Sequence, residues 1–400
     1  MILPFGLLLA CMAVLPLHAP IWWEKHYAKL AVCLAAITIG YYLFVLPPTG
    51  LTTVCHTAQD YAGFITLIGS LYVVAGGIHL RVGGEGAPGR NTLFLALGGA
   101  ASNLLGTTGA SMLLIRPWLR MNRSRIAPYH VVFFIFIVSN VGGGLTPLGD
   151  PPLLVGFLEG VPFWWVGRHC WPMWLVSMAF LLAAFYFIDR RHDARAPRPP
   201  AGTEHPWHVE GLWNLVFLTV IVASVVIPLL PWVREYIMVA AAAGSCLLTA
   251  RPVHEANEFS FRPILEVAVL FFAIFATMMP ALDRLRDVGG SLTPARVYWS
   301  AGTLSAFLDS APAYLAFFSA LGGHAGTGMK ALPTRLLSAL SVGTVMFGAA
   351  TYLGNGPNLM VKSIADHQKI HSPSFLGYLF KWAVPVMLPL LLLLWLIFFW

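Results

Sequence analysis

Two carboxylates, Asp150 and Asp309, lie in apolar parts of the sequence where a helix has to break. Residues 297–308, which precede Asp309, would form a helical arm of about 18 Å, a little over half of a hydrocarbon core of about 30 Å. The spacing therefore places Asp309 near the middle of a membrane. A charge at that depth is costly, so it must meet a cation, a proton or solvent, and it is functional by default. The alternative is that Asp309 caps a helix, its oxygen accepting backbone N–H groups.

Asp150 lies within the most heavily interrupted stretch of the chain, SNVGGGLTPLGDPPLLV at 139–155. Consecutive glycines followed by prolines prevent an intact helix. In hydrocarbon, an unravelled backbone is tolerated only where protein or a water-filled cavity surrounds it, so this stretch predicts a site. Asp150 would either bind a cation there or fold the turn between Gly149 and Pro151, and the sequence leaves both roles open.

The interrupted stretch has a counterpart in the second half of the chain. TYLGNGPNLM at 351–360 repeats TPLGDPPLLV at 146–155 with an offset of 205 residues, and Asn355 takes the place of Asp150. A second echo, with an offset of 203, matches Gly99, Ser102, Leu105 and Ala110 to Gly302, Ser305, Leu308 and Ala313. Two similar offsets indicate an internal repeat. Broken helices in corresponding positions of two halves point to the binding site of a transporter.

Oxygen-bearing side chains accumulate around these interruptions. With Gly149, Asp150 and Asp309, they make up the predicted set of ion-binding and substrate-binding residues: Ser102, Asn103, Thr107, Thr108, Thr146, Ser305, Ser310, Thr351, Asn355 and Asn358. Hard oxygen ligands suit sodium better than a transition metal. The N-termini of helices that restart after a break would equally suit an anion such as a carboxylate. The residue types alone leave the choice between cation and anion open.

The composition is that of a membrane protein that crosses the bilayer several times. The chain has 400 residues, of which 58% are hydrophobic and 10% charged, far from a soluble globular composition. The net charge is +7, and the 24 Lys and Arg residues lie almost wholly in loops between apolar runs. Membrane topology therefore explains the positive charge better than a nucleic-acid partner does. The five cysteines are scattered without metal-ligand spacing and are interpreted as small apolar residues. No cofactor is expected beyond a transported or coupling sodium ion or proton.

Ten apolar runs predict membrane spans, five on each side of a polar linker at 189–210. They cover about 2–17, 29–46, 61–80, 129–158 (broken) and 170–188, then 211–230, 236–250, 263–282, 336–361 (broken) and 374–400. Residues 1–17 lack the positive start of a signal peptide and are kept as a span. The predicted units are thus a first repeat at 1–188, the linker, and a second repeat at 211–400.

Two further apolar segments, about 91–115 and 297–321, carry small and polar residues at their middle. If both are re-entrant hairpins, each repeat has five crossings and the second repeat is inverted. Of the 24 Lys and Arg residues, 16 then lie on one side, seven lie on the other, and Lys381 lies within a span. The side with 16 should be the cytoplasm. The first hairpin would open from the cytoplasm, the second from outside, and both termini would be outside.

These motifs resemble one known family. SNVGGGLTPLGDPP, together with SAFLDSAPA and GNGPN, is similar to the ion transporter superfamily, which holds D-type sodium/proton antiporters, citrate transporters, arsenite efflux carriers and sodium/dicarboxylate cotransporters. The resemblance covers nearly the whole chain. It implies an all-α fold of two inverted repeats, each with a re-entrant hairpin and a broken helix, often assembled as a homodimer that moves as an elevator.

The resemblance also implies site positions. Ser102 and Asn103, and the range Ser305 to Ser310, match the hairpin tips that hold cations and substrate, while Thr146 to Pro152 and Thr351 to Asn358 match the facing loops. Sodium is accordingly expected at Ser102, Asn103 and Asp309. The chain departs from the antiporter pattern, because Gly106 stands where the first hairpin usually has an acid. It also has Leu153 where many relatives have Asn.

The sequence thus predicts a secondary active transporter of the bacterial inner membrane that works by alternating access. Sodium/proton antiport is the preferred function, favoured by the acid near mid-membrane. The alternative is sodium- or proton-coupled transport of citrate or another carboxylate, favoured by the small residues at the hairpin tips and by the helix N-termini. An enzyme is not expected, since no G-x-S-x-G or H-E-x-x-H motif is present. The expected partners are lipid, a small ion or carboxylate, and a second copy of the chain, without nucleic acid.

Overall fold

The computed structural model describes residues 2–46, 48–81, 86–193, 208–227, 230, 232–285, 292–322 and 332–400. Met1 and most of the predicted linker, 194–207, lie outside the described residues. The first half contains these elements: α1 (Leu3–His18), α2 (Pro20–Val45), α3 (Thr49–Gly76), β1 (His79–Arg81), α4 (Pro88–Met121), α5 (Pro128–Ile137), a 3-10 turn (Val141–Gly143), α6 (Pro151–Leu158) and α7 (Trp165–Asp193). Proline opens α2, α4, α5 and α6, at a position where its missing N–H costs no helical hydrogen bond.

The second half begins with the partner strand of β1 and is also helical. Its elements are β2 (His208–Glu210), α8 (Asn214–Val226), α9 (Val233–Leu248), α10 (Arg251–Ala256), α11 (Arg262–Leu285), α12 (Pro294–Phe307), α13 (Ser310–Ala320), α14 (Thr334–Gly348), α15 (Gly356–His367), α16 (Phe375–Tyr378) and α17 (Leu388–Leu394). Wider π-helical turns follow α16 and α17, at Leu379–Met387 and Trp395–Phe399. β1 and β2 pair in antiparallel fashion, with His79 opposite Glu210, and so join the two halves.

Long apolar helices identify an all-α integral membrane protein. In the described part of the chain, five segments are long and apolar enough to cross a membrane: Ile21–Val45, Pro88–Met121, Trp165–Asp193, Arg262–Asp283 and Phe375–Phe399. Shorter apolar helices lie at Leu3–Met12, Pro128–Gly143, Asn214–Val226 and Thr334–Gly348. Both predicted broken helices are interrupted, since the chain leaves α-helical structure between α5 and α6 and again between α14 and α15.

Helix α4 does not cross as one straight rod, because its two ends meet. The Asn91 side chain donates to Asn122 Oδ1 at 2.8 Å, and the Gly86 N–H donates to the Met121 carbonyl at 2.8 Å. A straight helix of 34 residues would be about 50 Å long. The reversal occurs at Gly106, whose φ of 74° and ψ of 153° are not helical and suit a residue without Cβ. The segment predicted as the first hairpin therefore folds back on itself.

The second predicted hairpin consists of α12 and α13, which pack against each other. Leu308 between them is extended, with φ −119° and ψ 161°. The two halves interlock around these hairpins, because α6 packs against α13 while α15 packs against α4 and α5. At the centre of the protein, nine of the ten residues of α5 are buried, and the exception is Pro128.

A buried polar cluster fixes the base of the first hairpin. Asp189 is fully buried and pairs with Arg125. Its carboxylate also accepts from Tyr129 at 2.6 Å and from Asn91 at 2.9 Å, and it lies 3.4 Å from His130 Nε2. Asp189 was predicted as the first residue of the linker, yet α7 continues to Asp193. The polar stretch after the apolar part of α7 therefore contributes a core residue.

Candidate binding site

The first break is held in a tight loop around two glycines. A Cβ on Gly149 would lie 2.0 Å from the Gly143 carbonyl oxygen, and one on Gly143 would lie 2.7 Å from the Gly149 oxygen. The same Gly149 carbonyl accepts from the Thr107 backbone N–H at 2.7 Å. Thr107 directly follows the reversal at Gly106, so the tip of the first hairpin is attached to the loop that ends at Asp150.

The second break repeats this backbone geometry. A Cβ on Gly354 would lie 2.5 Å from the Gly348 carbonyl oxygen, and both glycines stand 205 residues after Gly149 and Gly143. Hence the glycines that the sequence places at equivalent positions serve the same close approach of two backbone segments.

A threonine ties each loop to the tip of its own hairpin. Thr146 donates to the Asn103 carbonyl at 2.5 Å and accepts from the Gly149 N–H at 3.1 Å. In the second half, Thr351 donates to the Ala306 carbonyl and accepts from the Gly354 N–H at 3.2 Å. Both pairs keep the sequence offsets, 205 between the threonines and 203 between the carbonyls.

The two breaks touch each other through side chains at equivalent positions. Asn355 Nδ2 donates to Asp150 Oδ1 at 2.7 Å and approaches the Ser139 carbonyl at 3.2 Å. Beside this contact, Asn140 Nδ2 donates to Asn358 Oδ1 at 2.7 Å, and Asn358 in turn donates to the Thr351 carbonyl at 2.9 Å. One polar network thus joins the first half to the second half at the centre of the protein.

Asp150 is the electrostatic centre of this network. Its exposed fraction is 1%, and Oδ1 also accepts from the Thr107 hydroxyl at 3.1 Å. Within the described ranges, Asp150 Oδ2 and Asn355 Oδ1 are buried without a hydrogen-bond donor, and no salt bridge to Asp150 is formed. A buried, unpaired acceptor of this kind is costly unless a proton or a cation satisfies it. Two acceptor oxygens therefore remain without a donor among the described residues, one on each of two residues that are hydrogen-bonded to each other.

Asp309 combines features of the two roles considered from the sequence, a helix cap and a functional acid. It is the N-cap of α13, where its Oδ1 accepts from the Ala311 N–H at 3.2 Å. It also lines a cavity of about 120 Å³, shared with Asn355 and with apolar side chains such as Phe271 and Trp23. Next to it, the Ser310 hydroxyl is buried and has no partner among the described residues. The cap therefore stands at the wall of a cavity that reaches the second break.

The remaining predicted residues lie around the first break. Ser102 donates to the Val138 carbonyl at 2.7 Å, while Asn103 donates to the Gly142 carbonyl at 2.7 Å and accepts from the Leu145 N–H at 2.9 Å. Thr108 lines a small cavity of about 20 Å³ with Asp150. In the part of the chain that is described, no hydrogen bond or common cavity joins Asp309 to Ser102 or Asn103, which were grouped as sodium ligands.

Two central residues were not predicted from the sequence. Asn140 bonds the second half through Asn358, and Ser139 pairs with the Ser111 hydroxyl at 2.7 Å. Ser305 meanwhile donates to the Thr344 carbonyl at 2.6 Å, inside its own half. The signal available for Ser139 and Asn140 was their position, two polar residues at the end of a continuous apolar run.

The sequence profile of a protein family described as "Putative citrate transport" matches residues 1–399. No curated protein matches the sequence.

Proposed function

The chain belongs to this citrate transport family, and on that premise we propose that it is a cation-coupled secondary transporter of a citrate-like carboxylate. The observation that carries the proposal is the contact between Asp150 and Asn355, which leaves one buried acceptor oxygen free on each residue. A cation or proton at this contact would be shared by both halves of the chain.

The buried carboxylate explains how a cation and an anionic substrate become coupled. A second negative charge about 5 Å from an ionised Asp150 would be repelled by about 3 kcal/mol at an effective dielectric constant of about 20, more than a hundredfold in affinity. Neutralising Asp150 with a proton or sodium removes that repulsion. The carboxylate would therefore bind only after the coupling cation.

Helix N-termini supply the attraction for the anion. α6, α13 and α15 begin at Pro151, Ser310 and Gly356, directly after Asp150, Asp309 and Asn355. The positive dipole end of each helix favours a carboxylate. In this proposal the substrate binds at these ends, next to the cation.

The proposal includes alternating access by two inverted repeats with re-entrant hairpins. It is supported by the reversal of α4 at Gly106 and by the threonine–carbonyl hydrogen bonds that recur at offsets of 205 and 203 residues. Cytoplasmic placement of the first hairpin, external termini, the bacterial inner membrane and a homodimer belong to the same proposal.

The test is uptake of radiolabelled citrate by the purified protein in proteoliposomes. We expect uptake to need an inward sodium or proton gradient. Asp150→Asn should abolish this gradient dependence, since its side chain is no longer ionisable. Asp60→Asn is the matched control, because Asp60 lies on α3 and bonds only His56, at 2.9 Å, among described partners. Gradient-dependent uptake that survives Asp150→Asn would refute the role given to Asp150.

Sodium/proton antiport is the second candidate, and it is favoured by the two acids Asp150 and Asp309 at the breaks. It predicts sodium-driven proton movement in everted vesicles without any carboxylate. Citrate uptake that is absent while sodium moves protons would establish antiport instead of carboxylate transport.

A further inference from the structure

Helix α15 has two different faces. Pro357, Asn358, Val361 and Ala365 are buried, and α15 packs on α4 and α5. Leu359, Lys362 and Asp366 follow one another at intervals of three and four residues, so these three side chains lie on a different face of α15. That face leads from the second break to the end of the helix.

Two cavities lie along this face and share one side chain. The outer cavity has a volume of about 650 Å³ and is lined by Tyr352, Leu359, Lys362, Ser363 and Asp366, among others. The inner cavity, of about 120 Å³, is lined by Asp309, Asn355 and again Leu359. Leu359 therefore forms a wall between the outer cavity and the candidate binding site.

Lys362 is the cation of the outer cavity. Its ammonium group donates to Asp366 at 2.5 Å and lies 5.8 Å from the ring centroid of Tyr352, a residue of the second break. The side chains of Lys362 and Asp366 are 29% and 42% exposed, and exposed pairs one helical turn apart contribute little. An ammonium group has three donors, so a ligand with several carboxylates can compete with Asp366 for Lys362.

We propose that the outer cavity is a vestibule that binds a di- or tricarboxylate anion as it passes Leu359 between the second break and solvent. Lys362 binds the anion. Asp366 competes with the anion for Lys362 and so promotes its release. The direction of passage rests on the proposed transport function, but binding in the vestibule does not.

The test measures protection of a thiol and needs no transport. Ser363→Cys, in a chain whose five native cysteines are replaced by alanine, places the thiol in the outer cavity. Its rate of modification by a negatively charged methanethiosulfonate is measured in detergent, with and without citrate, and with sulfate at equal ionic strength. We expect citrate to slow the reaction and sulfate to have little effect.

Two substitutions then move the citrate concentration for half protection in opposite directions. Lys362→Ala should raise it about tenfold, as expected for loss of a charge-assisted hydrogen bond, and Asp366→Asn should lower it. Lys369→Ala is the matched control, since Lys369 lies two residues after the end of α15 and is exposed, but does not line the outer cavity. Protection by citrate should persist in Asp150→Asn, because Asp150 belongs to the candidate binding site and does not line the outer cavity.

Equal protection by sulfate, no protection by citrate, or an unchanged half-protection concentration in Lys362→Ala would each overturn the vestibule. Protection without gradient-driven uptake would instead refute the transport function and leave the vestibule standing.

Discussion

Replacing Gly149 with alanine should disable the first break without changing any charge. The added Cβ would lie 2.0 Å from the Gly143 oxygen and 2.8 Å from the Gly143 carbonyl carbon. Both atoms are backbone, so no side-chain rotation relieves the clash. Overpacking of this kind costs typically 1–3 kcal/mol, and we expect about 3 kcal/mol here, because the loop must move away from Thr107, whose N–H the Gly149 carbonyl accepts.

The expected result is a lower melting temperature and loss of citrate uptake, measured by thermal unfolding in detergent and by transport in proteoliposomes. Gly356→Ala is the matched control at the second break, since its Cβ would meet nothing within 4 Å. Alanine at a compatible backbone conformation stabilises by about 0.4–1 kcal/mol, because it restricts the unfolded chain more than glycine does, so this variant should be as stable as the wild type or more so. Wild-type stability and uptake in Gly149→Ala would refute the claim that the close approach of the two loop segments builds the site.

Three other predictions concern charges. Asp309→Asn should fold normally, because asparagine caps a helix as well as aspartate does. The pH dependence of transport between pH 6 and 9 should become weaker, since one of the two acids at the breaks is lost. An unchanged pH profile in vesicles would show that Asp309 only caps the helix. Asp189→Leu should lower the free energy of unfolding by about 3–5 kcal/mol, since it leaves Arg125 buried without its main partner. Asp193 also pairs with Arg125 but is 47% exposed, so Asp193→Asn should lower the free energy of unfolding by less than about 1 kcal/mol. Chemical denaturation in detergent compares the two variants. In intact cells, a single cysteine at Arg123 should be protected from an impermeant thiol reagent and one at Arg168 should be labelled, and the reverse pattern would contradict the proposed orientation.

The positions of the breaks were predictable from the sequence because glycine and proline act locally. Gly142, Gly143 and Gly144 cannot sustain a membrane helix, and α5 does end before them, at Ile137. The restart at Pro151 follows from the preference of proline for the first turn of a helix. Small and polar residues at the middle of 91–115, together with the distribution of positive charge, predicted the reversal of α4 there, although they did not single out Gly106 by its positive φ.

The sequence-based prediction was wrong for Asp189, whose surroundings come from distant parts of the chain. Asp189 begins a run of charged residues and was predicted as linker, yet it is fully buried. Its partners Asn91, Arg125 and Tyr129 are 98, 64 and 60 residues away. A local charge pattern cannot show that a carboxylate will meet three donors there.

By itself, the sequence determined the membrane class, the two interruptions and their equivalence at an offset of 205 residues, because apolar content, helix breaking and repetition are local properties of the chain. Equivalence did not reveal contact. Only the packing of α15 against α4 and α5 brings Asn355 to Asp150 and Asn140 to Asn358, 218 residues apart. The tertiary structure decided this central pairing, since a hydrogen bond depends on where two side chains are placed in space and not on where they stand in the chain.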